Sequence, residues 1–183
     1  HYETTVRSLE DRQRPKIRSE GALAHHPEYA AGKRRSPVEE QISDLLLRYL
    51  RLAVENAPHV ASRDDDRRHQ KRSIDLARSH FQMLAGVCIE FCISIRRLDL
   101  LFGEVFRCFQ AARYTPVFLD VLEPYILHDR LRYIAPEAMA EFVAHCRAAG
   151  DVSVVERCLL HMDVTIMDFD SILGLLVTND MYS

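Results

Sequence analysis

The sequence contains no tryptophan, and only 6 of its 183 residues are glycine. A fold built from many short strands needs frequent turn residues, so the scarcity of glycine favours helices over a turn-rich β fold. No window shows the sustained alternation of apolar and polar residues that a half-buried strand requires. The sequence therefore predicts an all-α fold.

The chain also lacks an excess of positive charge, with 24 basic residues against 27 acidic ones and a net charge of −3. Its densest basic run, residues 67–72, directly follows three aspartates at residues 64–66. Adjacent opposite charges cancel at distances beyond a Debye length of about 8–10 Å. We therefore expect no nucleic-acid partner.

The cysteines do not form the even set typical of a secreted disulfide framework. There are 5, all within helical patterns: Cys88, Cys92, Cys108, Cys146 and Cys158. Buried free thiols in a reducing cytosol account for them best.

Helix start signals recur through the second half of the chain. Thr115-Pro116 and Pro136-Glu137 open two helices, and Asp151 and Asp168 open the next two. Side-chain oxygens accept the free N–H groups of a first turn, and proline lacks a donor that would be unpaired there. With a further start near residue 98, every second start falls roughly 33–38 residues apart, which is the period of stacked helical hairpins. The pattern predicts an α-solenoid of stacked antiparallel helical hairpins.

Two more helices are predicted before this repeat. The sequence Ser36-Pro37-Val38-Glu39 has the form of a capping box with proline at the first helical position. An apolar face then recurs at steps of three and four up to a stop near Asn56, formed by Val38, Ile42, Leu45, Leu46, Tyr49, Leu50 and Ala53. Residues 59–71 are polar and are interpreted as a loop.

The next helix, from about Ser73 to Arg96, is predicted to be the most buried element. Its polar positions between 81 and 95 lie along one narrow stripe, formed by Gln82, Gly86, Glu90 and Ser94. Such a helix has neighbours on two or three sides, and Phe91, opposite the stripe, is predicted to be a core residue. A membrane span is rejected because this stretch covers only about 22 Å of a hydrocarbon core of about 30 Å.

The chain divides into two regions. Residues 1–36 hold few large apolar residues, so they are predicted to be a flexible linker or insertion. Residues 37–183 form the solenoid segment, which we expect to be a fragment of a longer solenoid truncated at the C-terminus. Ile172, Leu173, Leu175 and Leu176 form an apolar face that a further helix would normally cover.

Several groups of residues have side chains that could serve in a chemical site. Two pairs lie on helix faces, Cys88 with Cys92 and Cys158 with His161, and His145-Cys146 lies on the preceding helix, but zinc sites need four ligands and core thiols explain the cysteines. The carboxylates Asp163, Asp168 and Asp170 suit helix capping, and His25-His26 falls in the linker. No phosphate loop, nucleophile elbow or metalloprotease helix is present. We therefore expect no catalytic, cofactor-binding or metal residues, no cofactor and no enzyme activity.

Four blocks of the sequence, in order, resemble a known family. The blocks His80–Cys92, Leu98–Phe102, Val117–Leu127 and Cys158–Asp170 resemble the helical body of the vacuolar protein sorting-associated protein 8 family. The resemblance implies a subunit of the CORVET tethering complex, which bridges early endosomal membranes in vesicle-mediated protein transport to the vacuole or lysosome. It also implies an N-terminal β-propeller and a C-terminal RING-type zinc domain outside this chain.

The partners that the resemblance implies are the other subunits of the tethering complex. An early-endosomal Rab GTPase would be contacted through parts of the full-length protein absent here. The implied location is cytoplasmic, peripheral on the early endosome membrane. Two alternatives stay open at this point: a clathrin-like trafficking-coat solenoid, and a helical-repeat adaptor that binds peptides in a groove.

Overall fold

The structure, a computed structural model, describes residues 36–57 and 67–163, and the single positions 165, 174 and 177. Over the two long ranges it contains six helices and no strand, which confirms the all-α prediction. The helices are α1 (Pro37–Glu55), α2 (Arg67–Ser94), α3 (three consecutive segments, Leu98–Leu100, Leu101–Val105 and Phe106–Ala111), α4 (Thr115–Leu127), α5 (Pro136–Ala149) and α6 (Ser153–Leu160). The predicted linker before Ser36 and the apolar face at Ile172 to Leu176 are not among the residues whose side chains are described.

The start of α1 has the predicted capping box. The Ser36 side chain accepts the backbone N–H of Glu39, and the Glu39 carboxylate accepts the backbone N–H of Ser36 at 3.3 Å. Two donors of the first turn are thus satisfied reciprocally, and Pro37 at the first helical position leaves no further donor there.

Helix α2 begins at Arg67, so the prediction that residues up to 71 form a loop was wrong for residues 67–71. These residues are Arg, Arg, His, Gln and Lys, most of which are good helix formers that need no burial to remain helical. None of the described helices is both long and apolar enough to cross a membrane.

Helix α3 contains a π-helical insertion at Leu101–Val105, flanked without a break by α-helical turns. The insertion re-aims the apolar side chains, since consecutive Leu100, Leu101 and Phe102 are all buried. An uninterrupted α-helix would spread these three neighbours over more than half of its circumference.

Helix α4 passes through Pro124, which is exposed on its surface, and continues for another turn to Leu127. One predicted helix start needs correction. Asp151 was expected to open α6, but the helix begins at Ser153, and the Asp151 carboxylate accepts the Ser153 hydroxyl at 2.6 Å rather than a backbone N–H. Helix α5 starts at Pro136 as predicted, after Ala135 with no side-chain cap.

Three pairs of helices that lie two positions apart along the chain pack against each other. Helix α1 packs on α3, α2 packs on α4, and α4 packs on α6. Helix α5 completes the last hairpin by contacting both α4 and α6. This arrangement is that of stacked helical hairpins, as the period predicted.

One continuous apolar core runs through the stack, with an aromatic cluster at its centre. The Phe81 ring of α2 stacks on Tyr114 at 4.1 Å between ring centroids and meets Phe109 of α3 edge-on at 5.7 Å. Phe118 of α4 contacts Phe109 at 5.1 Å. Residues 128–135, between α4 and α5, add three buried side chains, Leu131, Tyr133 and Ile134, which helical periodicity did not predict.

Candidate functional site

The first candidate group consists of thiols in the core. Cys88 and Cys92 are fully buried between α2 and its neighbours, and burial raises the pKa of each to about 12. Burial also raises the pKa of the half-buried Cys108 thiol. These sulfurs are protonated at neutral pH, so they act as small apolar side chains rather than as nucleophiles or metal ligands.

The second candidate group, on α5 and α6, does not converge on a common point. Burial raises the pKa of Cys146 to about 11 and that of Cys158 to about 12. The His145 Nε2 lies 2.7 Å from an Asp120 carboxylate oxygen, and the His161 Nδ1 lies 3.2 Å from one of Asp129. The imidazoles therefore bind carboxylates at the surface while the sulfurs remain inside. Within the described residues, no group of three or more His, Cys, Asp or Glu side chains could hold a metal ion.

Of the three carboxylates in the predicted cluster, only Asp163 lies within the residues that the structure describes. One of its oxygens accepts the backbone N–H of Thr165 at 3.0 Å and the Thr165 hydroxyl at 2.6 Å. This is a local turn contact, and the helix start that the cluster was predicted to cap lies outside the described residues. Asp168, Asp170, His25 and His26 lie outside the described residues.

Ion pairs on the surface connect successive helices. Asp120 of α4 contacts both His145 of α5 and Arg78 of α2, the latter at 3.6 Å. Glu90 of α2 receives two hydrogen bonds from the Arg130 guanidinium, one of them at 2.7 Å, and this partner lowers the pKa of the Glu90 carboxyl. These ion pairs connect α2 with α4 and with the segment that follows α4.

A shallow groove of about 250 Å³ lies between α1 and α3. Its apolar floor is formed by Val54, Cys108 and Ala111, and the Arg51–Glu104 ion pair crosses it at 3.3 Å. This volume is below the roughly 300–1,000 Å³ usual for small-molecule sites. The groove does not provide an enclosed site for a substrate.

The most unusual surface of the described residues is apolar and lies on α1 and α2. Five side chains of α1 and three of α2 are between 45% and 74% exposed, namely Val38, Ile42, Leu45, Tyr49, Leu52, Leu76, Met83 and Val87. We call these eight residues the α1–α2 apolar surface. The two helices meet where the Tyr49 hydroxyl lies 3.2 Å from the His80 Nε2, with the rings edge-on at 6.2 Å.

This surface corrects two predictions about the core. Of the predicted apolar face of α1, only Leu50 is fully buried, with Leu46 and Ala53 packed against the core. Helix α2 was predicted to have neighbours on two or three sides, yet Met83 and Val87 are exposed among the described residues. Phe91 is half-buried against the core rather than fully inside it. Periodicity identifies an apolar face, but it does not identify what covers that face.

The family model and the two relatives that match this chain are all described as Vps8 proteins. A family model described as Vps8 central TPR matches residues 117–183. The vacuolar protein sorting-associated protein 8 homologs of Mus musculus and Homo sapiens are each 28% identical to the chain, over 82% and 83% of its length. The matched region is 10% of each relative, so the chain spans about a tenth of the curated relatives it matches. No solved structure matches.

The matches to the family model and to the two relatives cover helices of the observed stack. The family model starts at Val117, within α4, and the two alignments extend over about four fifths of the chain. These matches confirm the resemblance found in the sequence: the chain is similar to the central helical region of the vacuolar protein sorting-associated protein 8 family.

Proposed function

We propose that this chain is a non-catalytic scaffold segment of a membrane-tethering subunit. The subunit would belong to a CORVET-like complex and act in vesicle-mediated protein transport to the vacuole or lysosome. The observation that carries the proposal is the match, over four fifths of the chain, to two proteins named for vacuolar protein sorting.

The chemistry of the described residues supports a non-catalytic role. The thiols are held protonated by burial, and the imidazoles of His145 and His161 are engaged by carboxylates. A nucleophile needs an adjacent base, and a general base needs access to a substrate. The described groups do not combine these requirements at one point.

The packing supports a scaffold role. Each hairpin rests on the next through a shared core, and ion pairs such as Arg78–Asp120 link the layers at the surface. In such a stack the positions of the two ends are coupled through every intervening interface. A tether needs this property because it must hold distant binding regions at a fixed separation.

The proposed partners are the other subunits of the tethering complex. An early-endosomal Rab GTPase would be bound by other parts of the full-length protein. The proposed location is cytoplasmic and peripheral on the early endosome membrane.

The experiment compares the same substitution at a buried and at an exposed leucine in the full-length protein. Leu122 is fully buried in α4, whereas Leu160 at the end of α6 is 85% exposed. We expect Leu122→Asp, which places a charge in the core, to reduce co-purification of the other tethering subunits and to impair vacuolar sorting. Leu160→Asp should leave both unchanged.

Two results would contradict the proposal. The first is normal assembly and sorting by a Leu122→Asp protein whose circular dichroism shows that this region has unfolded. The second is co-purification of the unaltered protein with coat subunits instead of tethering subunits, which would favour the trafficking-coat alternative.

A further inference from the structure

We infer that the α1–α2 apolar surface is the stacking site for another helical hairpin of the same polypeptide in the full-length protein. The helices of that hairpin would lie against α1 and α2 as α1 and α2 lie against α3 and α4. The occupant is an amphipathic helix pair with apolar residues at steps of three and four.

The α2 part of the α1–α2 apolar surface faces away from the helices that α2 contacts. Phe81 of α2 points into the aromatic cluster that joins α2 to Tyr114 and Phe109. At 3.6 residues per turn, Leu76, Met83 and Val87 lie about 120–160° around the helix from Phe81. They therefore face away from the hairpin that α2 already contacts, in the direction in which a preceding layer of the stack would lie.

The exposed residues have the spacing of a helix-packing face. On α1 the exposed positions are 38, 42, 45, 49 and 52, and on α2 they are 76, 83 and 87. Steps of three, four and seven residues form the ridges that pack into the grooves of a neighbouring helix. Such ridges on two adjacent helices suit a partner that also has two helices.

The α1–α2 apolar surface is continuous with the existing core. Leu46 and Ala53, which pack against the core, share the apolar face of α1 with exposed Ile42 and Tyr49. Contiguous exposed apolar patches of this kind mark interaction sites in soluble proteins. The chain covers 10% of the length of its relatives, so proteins of this kind carry ample further sequence to supply the hairpin.

The test measures thiol labelling of single-cysteine substitutions in the purified full-length protein. Met83→Cys lies on the surface, and its control, Gln82→Cys, is an exposed neighbour on the same turn of α2 but on another face. On α1, Leu45→Cys is paired in the same way with Asp44→Cys. Peptide-resolved mass spectrometry separates the new thiols from the native ones.

We expect Met83→Cys and Leu45→Cys to be labelled at least about tenfold more slowly than their controls in the dilute monomeric protein, because labelling then requires local opening. In the 183-residue chain alone, the two variants of each pair should be labelled at rates that differ by less than about twofold. Circular dichroism confirms that each variant is folded.

Three results would overturn the inference. Equal labelling of a pair in the full-length protein would show that the surface is free. Protection that increases with protein concentration would identify a second copy as the occupant, and protection that needs added tethering subunits would identify a partner chain. Because labelling is measured on the isolated protein, its outcome does not depend on whether the proposed tethering role is correct.

Discussion

At the scale of single residues, four helix ends share one backbone geometry. Arg96, Arg113, Asp129 and Gly150 have positive φ values of 57°, 62°, 58° and 75°. In each case the N–H of that residue bonds the carbonyl three residues earlier, and the next N–H bonds the carbonyl five residues before it, as in Arg113 to Gln110 and Tyr114 to Phe109. This is the Schellman motif, in which glycine is the preferred residue.

Only Gly150 could be predicted as such a stop from the sequence. The other three positions carry side chains, for which the left-handed conformation costs roughly 1–2 kcal/mol. The strain is tolerated because each motif satisfies carbonyl groups at a helix end that would otherwise lack partners.

The strain at Arg113 can be measured because its side chain is exposed. Arg113→Gly should be more stable than Arg113→Ala by about 1 kcal/mol, since only glycine adopts this conformation without strain. Urea unfolding of both variants gives the difference. As a control, Gly150→Ala should destabilise the protein by a similar amount, although the added methyl group would meet no atom within 4 Å. Equal stability of the two Arg113 variants would show that the position is not left-handed in solution.

The buried thiols predict a loss of stability at high pH. The folded-state pKa of Cys92 is about 12, above its ordinary value of 9.0, so the unfolded chain releases this proton first. The contribution of the buried, protonated Cys92 thiol to the free energy of unfolding is therefore fully present below pH 9 and is lost as the pH rises toward 12. We expect the stability advantage of the wild type over Cys92→Ala to be constant up to about pH 8.5 and to shrink above it. An advantage that stays constant to about pH 11 would contradict the burial of this thiol.

At the scale of elements, the aromatic cluster of α2, α3 and α4 anchors the stack. Phe81 is 1% exposed and contacts both Phe109 and Tyr114, whereas Phe91, ten residues later on α2, is half-buried. The two phenylalanines of α2 therefore differ in how much packing their removal would disrupt.

Phe81→Ala should lower the free energy of unfolding by about 3–5 kcal/mol, because it leaves a cavity at a closed site. Phe91→Ala should lower it by only about 1–2 kcal/mol, because its ring is already partly in water. Denaturant unfolding of the 183-residue chain gives both values. Equal losses would mean that Phe91 is as enclosed as Phe81, and that the adjacent apolar surface is covered within this chain.

Local sequence signals predicted the position of most elements. The capping box fixed the start of α1, and prolines 116 and 136 marked the starts of α4 and α5 within one residue. The errors arose where local sequence signals are weak, at the polar first turn of α2 and at the start of α6, two residues after Asp151. The π-helical insertion of α3 could not be predicted because it responds to the packing of buried neighbours.

At the scale of the whole molecule, the period of helix starts predicted the stack, but not which of its faces are open. Val38 and Leu50 belong to the same predicted apolar face, yet the first is 60% exposed and the second is fully buried. Apolar residues that pack on the next hairpin and apolar residues that are exposed have the same side-chain chemistry. Only the placement of α3 and α4 distinguishes them.

As a proposed scaffold, this segment is expected to act through its shape and stability and not through reactive groups. The most direct measurement plots vacuolar sorting by the full-length protein against the free energy of unfolding for one series of variants. The series combines core variants, Phe81→Ala and Phe118→Ala, with variants of chemically reactive groups, Cys88→Ala, His145→Gln and His161→Gln.

We expect all five variants to fall on a single curve, with sorting lost only as stability is lost and with the histidine variants near the wild type. A histidine or cysteine variant that abolishes sorting while leaving the free energy of unfolding unchanged would contradict the account.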